Sequence, residues 1–128
     1  MQTALAFGSQ TAYEVENGST TIANVGGFYR VIGVSTFNQG ASADFTTRFF
    51  ISDGATTVVI WKHRAVTGGY TSSVLIPSTT QFDFSVFLRS GDSLIARSGS
   101  TSAILTGSIR QIADISGNLI NPSGFTAE

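Results

Sequence analysis

The stretch Gln81–Arg89, QFDFSVFLR, decides the fold of this 128-residue chain. Apolar and polar residues alternate along it, which is the pattern of a β-strand with one face in the core. The inward positions are Phe82, Phe84, Val86 and Leu88. Only Phe87 departs from the pattern, because it places an aromatic ring on the outer face. The stretch therefore predicts a strand with one buried face and one exposed face.

The sequence on either side has the same period of two, interrupted by turn signals such as Asp53-Gly54 and Ser90-Gly91-Asp92. The other predicted strands are Thr20–Asn24, Phe28–Asn38, Asp44–Ser52, Thr56–His63, Ser72–Ile76, Ser93–Arg97 and Ala103–Ile112. Gly and β-branched residues interrupt every window in which a helix could form. The sequence thus predicts an all-β antiparallel β-sandwich, a jelly roll of roughly eight to nine strands with no significant helix.

The ends of the chain differ from the middle in composition. We predict an N-terminal arm over residues 1–19, a jelly-roll domain over 20–112 and an extended C-terminal tail over 113–128. The arm contains two short candidate strands, Thr3–Phe7 and Ala12–Glu16. Apolar side chains in the arm and tail are the candidate contacts with a partner: Leu5, Phe7, Leu119, Ile120 and Phe125.

The charge content is low. Charged residues make up 12 % of the chain, with 7 Lys and Arg against 8 Asp and Glu, whereas about 25 % is usual for a globular domain. A surface rich in Ser, Thr and apolar groups loses little hydration when it is covered, so it suits a protein that stays in contact with others. A plain secreted β-domain is the alternative interpretation.

Several classes of partner and chemistry are disfavoured. The net charge of −1 argues against nucleic-acid binding, which needs a basic patch, and against a polybasic membrane anchor. The chain has no Cys, so it has no disulfide framework, and this fits assembly in a reducing cytoplasm. The first residues have no basic segment before an apolar run, so they do not resemble a signal peptide. No cofactor is predicted.

Catalytic residues are hard to assign. His63 is the only histidine, and it is interpreted as a surface side chain near a loop, or at most as a pH-sensitive contact at an interface. Gly91-Asp92-Ser93 lacks the final Gly of a nucleophile elbow. Asp53 and Asp92 suit tight turns. We predict that the protein is not an enzyme. The alternative among enzymes is a small glycan hydrolase.

The aromatic residues suggest self-association. The chain has 10 Phe, 3 Tyr and 1 Trp, more than one core face requires. The surplus is taken as a self-association face: Phe28, Tyr29, Phe37, Phe50 and Phe87. A second core layer or a register shifted by a bulge is an equally good interpretation, and a sugar-binding face is a third.

Three segments resemble the tumour-necrosis-factor-like jelly roll over about residues 20–112. They are Gly27–Val31 (GFYRV), Phe84–Leu94 (FSVFLRSGDSL) and Leu105–Ile109 (LTGSI). The resemblance implies a homotrimer packed through an aromatic-rich inner sheet. With this resemblance and its cysteine-free composition, the chain is similar to small tailed-phage virion proteins.

The resemblance implies a capsid decoration (cement) protein. Its trimer would bind the major capsid protein or other virion subunits on the capsid surface after assembly in the host cytoplasm. A phage tail or fibre component and a receptor- or carbohydrate-binding module remain the alternatives.

Overall fold

The computed structural model describes residues 10–37, 45–65 and 78–120. Within them the chain forms eight strands and no helix. The strands are β1 (Thr11–Glu16), β2 (Gly18–Ala23), β3 (Gly27–Phe37), β4 (Phe45–Ser52), β5 (Thr57–Ala65), β6 (Ser78–Leu88), β7 (Ser93–Ser98) and β8 (Ala103–Ala113). The predicted all-β antiparallel sandwich is confirmed. The segment Ser72–Ile76 lies outside the described residues.

The strands form two four-stranded antiparallel sheets packed face to face. Sheet A has the order β1-β8-β3-β6, and sheet B has the order β2-β7-β4-β5. β1 pairs with β8 along its whole length, and its Tyr13 and Val15 side chains belong to the core. The sandwich therefore begins before residue 20, inside the segment predicted to be the N-terminal arm.

The core lies between the sheets and is centred on Phe49 of β4, which is fully buried. Its ring makes an edge contact with Phe82 at a centroid distance of 5.0 Å and with Phe84 at 5.3 Å. Trp61 lies 5.7 Å away and Tyr13 6.0 Å away. The alternation in β6 is confirmed, because Phe82, Val86 and Leu88 are buried and Phe84 packs against the core, whereas the residues between these four positions are exposed.

Two glycines allow β3 and β8 to approach closely in the middle of sheet A. Gly33 is the register partner of Gly107, and the Tyr13 hydroxyl lies over them and donates a hydrogen bond to the Ile32 carbonyl at 3.2 Å. Gly33 thus marks a close approach of the two strands, and the pairing of β3 continues through it without a bulge.

Two turns follow the chemistry predicted for them. The Asp53 carboxylate accepts the backbone N–H groups of Ala55 at 2.9 Å and Thr56 at 2.7 Å. The Asp92 carboxylate accepts the backbone N–H of Arg89 at 2.9 Å. Gly54 and Gly91 take positive φ values of 95° and 90° in these turns, which glycine adopts without steric strain.

Candidate assembly surface

The outer face of sheet A carries an exposed pair of aromatic rings. Phe28 on β3 and Phe87 on β6 are register partners, and their ring centroids are 4.6 Å apart. Phe28 is 37 % exposed and Phe87 is 42 % exposed. Both side chains point away from the core because their neighbours Tyr29, Val86 and Leu88 point into it. Two rings that remain in water next to each other mark a surface that another molecule could cover.

Further apolar side chains surround this pair, because three parts of the chain meet at Gly26. A Cβ added to Gly26 would meet the Ile115 side chain and the backbone of Arg89 and Ser90. Leu119 forms a bridge with Ala113, which is the partner of Phe28 across β8. We call this surface the apolar end; it consists of Val25, Phe28, Phe87, Ile115, Leu119 and Ile120, which are 37–83 % exposed.

Hydrogen bonds hold the backbone of the apolar end in place. The Asp114 carboxylate accepts the backbone N–H groups of Ser116 and Asn118, both at 2.9 Å. Hydrogen bonds from Asn118 hold the pKa of Asp114 below its ordinary value. Ile120 donates its N–H to the Ile112 carbonyl at 3.0 Å. An apolar surface on a fixed backbone loses little conformational entropy when it is covered.

The predicted self-association face does not form a single surface. Tyr29 and Phe37 are buried, with 7 % and 1 % of their surface exposed, and Phe50 lies on the outer face of sheet B. Neighbouring strand residues point to opposite faces, so Phe28 and Tyr29 could not both belong to one face. The structure brings together only Phe28 and Phe87.

Of the five side chains predicted to contact a partner, two lie in the part of the chain that the structure describes. Leu119 and Ile120 are 83 % and 37 % exposed and belong to the apolar end. Leu5, Phe7 and Phe125 lie outside the described residues. Val25 and Ile115 were not singled out in the sequence, where each lies near a glycine turn outside the alternating segments.

Four of the described acids have structural roles. Hydrogen bonds hold the pKa of each carboxyl below its ordinary value, and the main donors are the Thr56 backbone for Asp53, Arg30 for Asp83, Arg89 for Asp92 and the Asn118 backbone for Asp114. A glycosidase general acid needs a raised pKa. In the described ranges no three His, Cys, Asp or Glu side chains are close enough to hold a metal ion. The same ranges contain no helix long and apolar enough to cross a bilayer.

His63 joins the two sheets from inside the sandwich, and its assignment to the surface was wrong. Its Nδ1 lies 2.9 Å from the Ser35 hydroxyl on β3, and its Nε2 lies 3.2 Å from the Thr80 hydroxyl on β6. The Ser35 hydroxyl also bonds the Thr47 hydroxyl at 2.6 Å. The imidazole stacks on Phe37 at a centroid distance of 4.2 Å. It points inward because it follows Trp61 by two residues on β5.

We expect the protein to lose stability as the pH falls from 7 to 5. Burial lowers the pKa of His63 below its ordinary value of 6.5, so protons bind the unfolded chain more readily than the folded one. The resulting stabilisation is complete above 6.5 and is lost as the pH falls toward the lowered value. Urea unfolding at several pH values would measure the change.

The control for the pH prediction is His63→Gln, which has no titrating group in this range. Its stability should stay nearly constant between pH 7 and 5, because the chain has one histidine and the described carboxyls with shifted pKa values titrate at lower pH. An equal decline in both proteins would show that another group is responsible.

The fold and sequence are similar to those of a phage protein of known structure. Two crystal structures carry the description of a pentameric capsid protein isolated from metagenomic phage sequences, one of them solved by iodide SAD phasing. Each matches with 39 % sequence identity and a TM-score of 0.79, over 93 % of this chain and 71 % of that chain. This chain belongs to the same family of phage capsid proteins. Its role as a virion structural protein follows from that membership.

The fold of this chain is a tumour-necrosis-factor-like jelly roll. A structure of Eiger TNF from S. frugiperda matches 91 % of this capsid-family chain with a TM-score of 0.53. Its sequence identity is 10 %, so this likeness concerns the fold alone. No protein-family model matches the chain, and no curated protein matches it.

Proposed function

We propose that this protein is a capsid decoration protein that binds the outer shell as a ring of identical copies and stabilises it. The observation that supports this most is the 39 % identity to a phage capsid protein over 93 % of the chain. The proposal includes a non-enzymatic role, a place on the capsid surface, and assembly in the host cytoplasm. The major capsid protein would be its partner in the shell.

The apolar end supports self-association. It exposes six large apolar side chains at one end of the sandwich, and two of them are aromatic rings in contact. Buried aromatic side chains are common anchors of protein interfaces. A ring requires that two different surfaces of neighbouring copies meet, and the apolar end would supply one of them.

Two similarities to known proteins give different numbers of copies for the ring. The resemblance to tumour-necrosis-factor-like domains predicts a trimer, whereas the capsid relative is described as a pentamer. The higher sequence identity of the capsid relative favours five copies. Since one chain has a mass of 13.4 kDa, light scattering should give about 67 kDa for five copies and about 40 kDa for three.

Stabilisation of the shell would come from surface that is removed from water between shell subunits. Each copy would contribute about 25 cal/mol per Å² of apolar surface buried, less the entropy lost on binding. The copies in a ring bind as one unit, so the gain is multiplied through avidity. Leu5, Phe7 and Phe125 remain predicted contacts of the arm and tail with the shell.

We expect shells that carry the protein to release their DNA at a higher temperature than shells that lack it. Phage particles produced with and without a functional copy of the gene provide the comparison, and dye access to the DNA reports the release. Adding purified protein to the deficient particles should restore the higher temperature. Equal release temperatures would contradict a cementing role, and a position on the tail in particle images would favour a fibre component.

A further inference from the structure

Charge is distributed unequally between the two sheets. The strands of sheet B, β2, β4, β5 and β7, contain no Asp or Glu. They contain four of the seven basic side chains of the chain, namely Arg48, Lys62, Arg64 and Arg97. Sheet A contains both signs, with three acids and two arginines in its strands. Sheet B is therefore basic, although the net charge of the whole chain is only −1.

Three of these basic side chains form a row across adjacent strands. Arg48 on β4 is the register partner of Lys62 on β5 and of Arg97 on β7. All three point away from the core, because the residues next to them in β4 and β7 are buried and Trp61 packs inward beside Lys62. Adjacent strands are about 4.8 Å apart, so the row is about 10 Å long. We call it the basic row.

In the part of the chain that the structure describes, no acid neutralises the basic row. Among the residues that the structure describes, Arg48, Lys62 and Arg97 form no ion pair. By contrast, Arg30 on sheet A pairs with Asp83 at 2.7 Å. Like charges placed directly opposite one another on neighbouring strands destabilise a sheet. The basic row thus weakens the free domain, which is understandable if its charges are used in binding.

Next to the basic row lies a row of apolar side chains. Phe50 on β4 is the partner of Val59 on β5 and of Ile95 on β7. Val59 is 47 % exposed, and Phe50 and Ile95 are half-buried. Apolar and arginine side chains side by side are typical of protein–protein interfaces. A nucleic-acid interface is more polar and more uniformly basic.

We infer that the outer face of sheet B, centred on the basic row, docks on an acidic protein surface of the capsid shell. This inference rests on the proposed function and adds to it which face meets the shell. The basic row is short and has apolar neighbours, so it fits a compact cluster of carboxylates rather than a long phosphate backbone. Arginine pairs well with carboxylates because its planar group donates two parallel hydrogen bonds.

The test compares two arginines on opposite sheets. Arg97→Gln removes one charge from the basic row, and Arg110→Gln removes one from β8 of sheet A, so both variants change the net charge equally. We expect Arg97→Gln to weaken binding to shells prepared without this protein by about tenfold, and Arg110→Gln to change it less than about twofold. Cosedimentation at increasing salt concentrations measures the affinity.

Stability and mass of the free proteins complete the comparison. Arg97→Gln should unfold at the same temperature as the wild type or a higher one, since an opposition of like charges is relieved. Both variants should keep the mass of the wild-type oligomer in light scattering. Lost shell binding together with intact stability and mass would support the inference, because misfolding could not explain it.

The possible failures can be told apart. If wild-type protein does not bind the shells, the proposed function and this inference both fail. If Arg97→Gln binds as well as wild type, the inference alone is overturned. A smaller mass for Arg97→Gln would instead assign the basic row to contacts between copies. Salt-dependent binding of wild-type protein to duplex DNA, lost in Arg97→Gln while shell binding persists, would assign it to nucleic acid.

Discussion

Gly107→Ala should lower the free energy of unfolding by about 3 kcal/mol, the largest effect of a single methyl group that we expect in this chain. The added Cβ would overlap the Ile32 carbonyl oxygen and lie 2.8 Å from both the Gly33 Cα and the Tyr13 hydroxyl. Two of these three contacts are backbone atoms of the paired strand, so no side-chain rotation can make room. The Tyr13 hydroxyl would also have to leave the Ile32 carbonyl that it bonds at 3.2 Å.

The effect is steric and not conformational, since Gly107 is not among the glycines with positive φ. Thermal unfolding should show a decrease in Tm of about 10 °C for a domain of this size. Gly18→Ala in β2 is the matched control, because the nearest atom to its added Cβ is 3.8 Å away. That variant should be neutral or slightly more stable. A loss of less than about 1 kcal/mol in Gly107→Ala would show that the two strands can separate easily.

The double substitution Phe28→Ser and Phe87→Ser should convert the oligomer into a monomer of 13.4 kDa. The two rings are in contact and more than a third exposed, so they add little to the core of one copy. Aromatic anchors at the centre of an interface contribute about 2 kcal/mol or more each when truncated. Losing two at every contact in a ring is enough to dissociate it. Light scattering over a range of protein concentrations measures the mass.

The control for this dissociation is Val59→Ser, which removes an apolar side chain of similar exposure, 47 %, from the other sheet. It should keep the mass of the wild-type oligomer. Circular dichroism should show the same strand signal in all three proteins, because neither surface contributes to the core. A double variant that stays oligomeric would exclude the apolar end as the contact between copies, and a monomeric wild type would contradict self-association itself.

The face of a strand on which a side chain lies was predictable wherever apolar and polar residues alternate without interruption. The burial of Phe82, Val86 and Leu88 and the exposure of Phe87 follow from a period of two in one uninterrupted segment. The surplus aromatics were grouped as one face opposite the densest apolar side, whereas Tyr29 and Phe37 lie in the core, as the alternative of a second core layer predicts. The interpretation of His63 as a surface side chain was wrong for a different reason. The predicted strand ended at His63, next to a loop, whereas β5 continues to Ala65.

The sequence by itself determined the class of fold, the turns at Asp53-Gly54 and Gly91-Asp92, and the presence of more aromatic surface than one core requires. These properties depend on residues a few positions apart, and alternation and turn chemistry act over that range. Only the tertiary structure decided which residues become neighbours across strands. Arg48 lies between Lys62 and Arg97, and Gly33 lies opposite Gly107, because register is set by the joint packing of two sheets and no local pattern encodes it.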